Sequence, residues 1–144
     1  MIYKPKYFKI EELVDPATFE KFGDKAFAFF RPQILIALDY IREKAGPLIV
    51  NNWQTGGPLR WRGLRTADYT ESKTMPHRLG AAIDCHSSKL TAEDLRGLVI
   101  SESVKHASST IHPIHGVRRM ERGVNWLHID CIEGDHDGIL LFDP

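Results

Sequence analysis

Apolar residues recur at helical spacing most clearly between positions 32 and 44. Ile34, Leu35, Leu38 and Ile41 form a stripe there, with Asp39, Arg42 and Glu43 expected to face outward. Gly46-Pro47 ends that helix, and residues 47–50 read as a short buried strand. Upstream, Phe8, Ile10, Leu13 and Val14 give residues 7–14 an inward face, as a turn or short helix. Asp15-Pro16 then reads as an N-cap followed by proline at the first helical position. Thr91-Ala-Glu-Asp94 opens another helix, with Thr91 as its cap and acids in its first turn. Three further strands are expected at 81–84, 126–131 and 139–142. Residues 51–76 show no sustained period and are rich in Gly, Pro, Thr, Asn and Arg. An ordered connection of that length is usually functional. Helices first and strands later predict an α+β fold, with N-terminal helices packed on a small, mostly antiparallel sheet.

Composition narrows the function classes. With 144 residues the chain is expected to form one domain with a sizeable core, and a monomer. Lys+Arg and Asp+Glu both number 19, so the net charge gives no footprint for nucleic acid. No apolar run is long enough to span a bilayer. The opening Met-Ile-Tyr-Lys-Pro-Lys-Tyr-Phe-Lys lacks an apolar stretch and a small-residue cleavage site, so no secretory signal and a cytoplasmic product are expected. The two cysteines, Cys85 and Cys131, lack the spacing of a zinc-thiolate site or a disulfide framework. Each follows an acid, Asp84 or Asp130, and in a strand would point away from it into the core.

The chemistry concentrates in two segments, Met75-Pro-His-Arg-Leu-Gly-Ala-Ala-Ile-Asp84 and Asn125-Trp-Leu-His-Ile-Asp130. Two histidines and one aspartate can fill three positions of a tetrahedral zinc and leave the fourth for water. On the later strand His128 and Asp130 share one face, while Leu127, Ile129 and Cys131 take the other. Asp84 meets them if the two strands are neighbours. Gly80 and Ala82 keep the intervening segment slim. In a chain with seven histidines the same residues also suit surface or capping roles, and spacing alone leaves both readings open.

His77-Arg-Leu-Gly80-Ala-Ala82-Ile-Asp84 resembles the Ser-x-His-x-x-Gly-x-Ala-x-Asp signature of the zinc D-alanyl-D-alanine carboxypeptidases, a family that includes phage endolysins. Leu127-His128-Ile129-Asp130 resembles that family's later ligand strand. Gly63-Leu64-Arg65-Thr66 is similar to its Gly-Tyr-Arg-Ser segment. The likeness covers nearly the whole chain in order and is nearest to the short phage-type members. It implies a Hedgehog/DD-peptidase-like fold and Zn2+ held by His77, Asp84 and His128. It also implies a peptidoglycan stem peptide as substrate, with Arg65 beside its carboxylate or oxyanion. A phage lytic enzyme would leave the cytoplasm through a holin or travel in a virion.

Two positions depart from the pattern. Met75 replaces the signature serine, and Asn125 stands where many members carry a catalytic Glu or Asp. An amide is no base at neutral pH. Asp130 is the preferred substitute, either as proton shuttle or as support for a ligand histidine, with Glu121 and Glu133 behind it. The alternative is a catalytically silent, zinc-containing wall-binding or virion structural module. An iron site built on His128 and Asp130 would need a distant second histidine, and His136 lies only eight residues on.

Overall fold

The computed structural model describes residues 1–71 and 75–144. Asp15 starts helix α1 (Pro16–Phe22) as expected. Its Oδ1 accepts from the Ala17 and Thr18 amides at 3.1 and 3.2 Å, which satisfies two donors that the first turn leaves open. Helix α2 (Pro32–Ala45) buries Ile34, Leu35, Leu38 and Ile41, the predicted stripe. Asp39 departs from expectation, because it is buried on this helix rather than outward. The N-terminal segment crosses over it. Its Oδ2 accepts from the Tyr3 hydroxyl at 2.7 Å and the Lys6 amide at 2.6 Å, and its Oδ1 from the Tyr7 amide at 3.2 Å. Residues 7–14 supply a single 3-10 turn at Ile10–Glu12, with Phe8, Ile10, Leu13 and Val14 all buried.

Helix α3 (Met75–Arg78) is one turn long. Helix α4 (Ala92–Lys105) begins with a reciprocal cap, in which Thr91 Oγ1 accepts the Asp94 amide at 3.1 Å and the Asp94 carboxylate accepts the Thr91 amide at 3.0 Å.

Four strands form one sheet in the order β1-β3-β2-β4: β1 (Ala82–Cys85), β2 (Arg119–Glu121), β3 (Leu127–Asp130) and β4 (Leu140–Phe142). The β1–β3 and β2–β3 pairs are antiparallel and the β2–β4 pair is parallel. The sheet expected to be mostly antiparallel is therefore mixed. Residues 47–50 do not form a strand either. Ile49 makes one bridge to His86, while Leu48 and Val50 are buried beside it. Strand β2 was not foreseen.

The sheet's two faces divide the labour. Ile83, Cys85, Met120, Leu127, Ile129 and Cys131 join Leu35, Leu38 and Ile41 of α2 in one apolar core. The cysteines are thus buried thiols, as their alternation predicted. Asp84, Glu121, His128 and Asp130 lie on the opposite face, because side chains alternate along each strand. Among the described residues, no helix is long and apolar enough to cross a membrane.

Candidate metal centre

The β1–β3 register pairs Asp84 directly with His128, so the neighbouring strands assumed from sequence do meet. In an antiparallel pair, opposed side chains stand on the same face about 5 Å apart at Cβ. His128 Nδ1 lies 2.7 Å from Asp84 Oδ1. His77 reaches the same oxygen from the end of α3, its Nε2 at 3.3 Å. His77, Asp84 and His128 are all buried, and one ligand atom from each falls within 4.8 Å of the others. The three residues could hold a metal ion.

Backbone geometry fixes how His77 presents itself. Its Nδ1 lies 2.8 Å from the Gly63 carbonyl oxygen. A carbonyl only accepts, so Nδ1 carries the proton and the Nε2 lone pair faces Asp84. Gly63 approaches Leu13 so closely that a Cβ on it would meet the Leu13 carbonyl oxygen at 2.0 Å. Gly80 turns the chain from α3 into β1 with φ of 62°, and a Cβ there would meet the Phe29 carbonyl oxygen at 1.9 Å. Its smallness serves packing against that carbonyl, where the sequence had suggested room for a metal.

The charge balance calls for positive charge beside Asp84. Burial alone would raise the Asp84 pKa, yet its contacts with His128 and His77 hold it well below the usual carboxylate range. Burial would lower His128, but Asp130 and Asp84 outweigh it and draw its pKa up to about 9. Both His128 nitrogens face carboxylate oxygens, since Nε2 lies 3.1 Å from Asp130 Oδ2. A neutral imidazole has one N–H. With that proton on Nε2 toward Asp130, the Nδ1 and His77 Nε2 lone pairs both aim at Asp84 Oδ1. Electron-rich atoms that close and that buried need a positive charge among them, which the second proton of His128 supplies at its raised pKa and which a bound cation would supply in that proton's place. The donor set, two imidazoles and a carboxylate, suits a borderline divalent ion.

Asp130 is wholly buried. Arg119 grips it with two donors, Nε to Oδ1 at 2.9 Å and Nη2 to Oδ2 at 3.0 Å, and the Ile132 amide donates to Oδ1 at 3.1 Å. These contacts and His128 outweigh burial and lower its pKa. Of its two expected roles, this geometry fits support of a ligand histidine. Arg65 donates from Nη2 to Asp84 Oδ2 at 3.1 Å and from Nε to the Trp61 carbonyl at 2.8 Å, with its guanidinium over the Tyr69 ring.

His77, Asp84 and His128 form one wall of a cavity of about 350 Å³. Arg65, Tyr69, Arg119, Glu121, Trp126 and Phe142 supply much of the remaining lining. Arg119 was missed from sequence because it lies in the unforeseen strand β2, while Glu121 had ranked below Asp130. Asn125 is exposed and borders a separate depression with Arg62, His86 and Arg96. Met75 is exposed as well. Glu133 lies apart from the cavity and pairs with Arg118 at 3.2 Å. His112 caps the 3-10 turn Pro113–Gly116 and His115 lies within it, and both line a different hollow. His106 and His136 are half-buried. Neither a protein-family model, a curated protein nor a solved structure matches this chain.

Proposed function

We propose that the protein is a zinc-dependent peptidase that hydrolyses peptide bonds in peptidoglycan stem peptides. The observation that carries this reading is the convergence of His77 Nε2, Asp84 Oδ1 and His128 Nδ1 on one wall of a substrate-sized cavity. Zinc bound by these atoms would polarise a scissile carbonyl and lower the pKa of a water to about 7. The Gly63 carbonyl holds the proton on His77 Nδ1, and Asp130 holds the proton on His128 Nε2, so both rings keep a lone pair for the ion. Arg65 keeps Asp84 oriented and presents positive charge to the cavity, which suits a peptide carboxylate or a developing oxyanion. Tyr69, Trp126 and Phe142 supply apolar walls that limit water. The motif likeness to zinc D-alanyl-D-alanine carboxypeptidases supports the substrate class, and with it release through a holin or carriage in a virion.

The test is incubation of zinc-loaded protein with purified peptidoglycan, followed by assay of new amino groups and mass spectrometry of fragments. Metal-dependent release is expected, absent after chelation. Full zinc occupancy with no release from several wall types would replace this reading with the silent zinc-containing module.

A further inference from the structure

Peptide hydrolysis needs a group that takes a proton from the attacking water and returns it to the leaving nitrogen. Three carboxylates stand on this face of the sheet. Asp84 is committed to both histidines and to Arg65. Asp130 has no exposed surface, both its oxygens are taken, and it does not border the cavity. Glu121 differs on each count. It borders the cavity beside His77, Asp84 and His128, and it is half-buried. It is the register partner of His128 across the β2–β3 pair, so the two side chains rise from one face about 5 Å apart at Cβ. Arg119, on the same face of β2, turns its guanidinium to Asp130, and the Glu121 carboxylate has no hydrogen-bond or ion-pair partner among the described residues.

We propose that Glu121 is the catalytic proton shuttle of this site, an inference that rests on the hydrolase reading. A Glu121 carboxylate oxygen accepts one proton from water as the water oxygen bonds to the carbonyl carbon. The same proton then passes to the amide nitrogen as the carbon–nitrogen bond breaks. The products are a carboxylic acid and an amine, and Glu121 returns to its starting form.

The experiment compares wild type with E121Q and E121D, each checked for zinc content and melting temperature. Turnover of wall peptide should fall about 10²- to 10⁴-fold in E121Q, with E121D recovering part of it. A second measurement does not depend on turnover. Calorimetry of acetohydroxamic acid binding to the zinc-loaded protein, in buffers of different ionisation enthalpy, counts protons released. The wild type should keep the hydroxamic proton, and E121Q should release about one more per site. Equal proton counts, or unchanged turnover in E121Q, would overturn the assignment. A wild type that cuts no wall peptide yet shows the proton difference would remove the peptidase reading and leave Glu121 as the proton acceptor. Failure of zinc to bind would remove both.

Discussion

Histidines gather in two places on this protein, around Asp84 and beside the end of α4. In the second group His106 and His112 stack with ring centroids 3.7 Å apart and planes within 6°, and His115 stands 6.0 Å from His112. One nitrogen of each is spent locally. His112 Nδ1 accepts the Ile114 amide at 3.3 Å, and His115 Nε2 donates to the His106 carbonyl at 2.9 Å. The acid nearby, Glu102, lies 3.5 Å from His106 and also takes the Tyr40 hydroxyl. Around Asp84 two histidines do what those three do not. Each spends its outer nitrogen on a fixed acceptor and turns the inner one toward a single buried oxygen. Histidine density therefore says little about metal binding. The partner of the second nitrogen decides.

The largest effect that would break this contrast is loss of a ligand. His128→Ala or His77→Ala should take zinc from about one per chain to almost none after dialysis, measured by elemental analysis. Retention at full stoichiometry would dissolve the ligand set. Chelation of the wild type comes next. If the ion is present at 1,000 times its dissociation constant, removing it costs about 4 kcal/mol, on the order of 10 °C in melting temperature for a chain of this size. A melting curve indifferent to chelator would mean that the folded state gains nothing from the ion. Asp130→Asn tests the outer shell and should weaken zinc affinity about 10- to 100-fold. Lost turnover at unchanged affinity would instead return the proton shuttle to Asp130 and count against Glu121.

The smallest effect belongs to the other cluster. His112→Ala should leave zinc stoichiometry alone and cost about 1 kcal/mol, since it removes a long cap and half-exposed ring contacts with Tyr40, His106 and His115. Burial, then the neighbouring His106 and His115, lowers the His112 pKa below 6.5. A lowered histidine means that the unfolded chain binds the proton more readily. Wild-type stability should therefore decline as pH falls below about 6.5, more steeply than in His112→Ala. Parallel pH profiles in denaturant titrations would contradict that.

Much of the ligand face was legible because two-residue alternation is a strong signal. In Leu127-His-Ile-Asp130 it separates apolar from ionisable positions, and the observed faces agree. The start of α1 was legible through Asp15, and the start of α4 through Thr91. Strand β2 was not. Arg119-Met-Glu121 offers one apolar residue between two charges, and its pairing depends on β3 and β4, which are distant in sequence. Missing it hid Arg119 and left Glu121 undervalued. Asp39 was misassigned for a similar reason. Helical periodicity places it outward, and only the N-terminal segment folding across α2 makes that position interior.

The Gly63 carbonyl carries a consequence of another kind. Substitution can delete His77, Asp84 or His128, but a main-chain oxygen is common to all residues and no codon change removes it. Selection can only displace it, by altering how the loop seats against Leu13. A catalogue of single-residue variants would therefore credit the orientation of His77 to packing at position 63. The atom responsible would become visible only to backbone chemistry, such as an ester in place of the peptide bond that follows Gly63, which weakens that oxygen as an acceptor and also removes the Leu64 N–H donated to the Leu13 carbonyl.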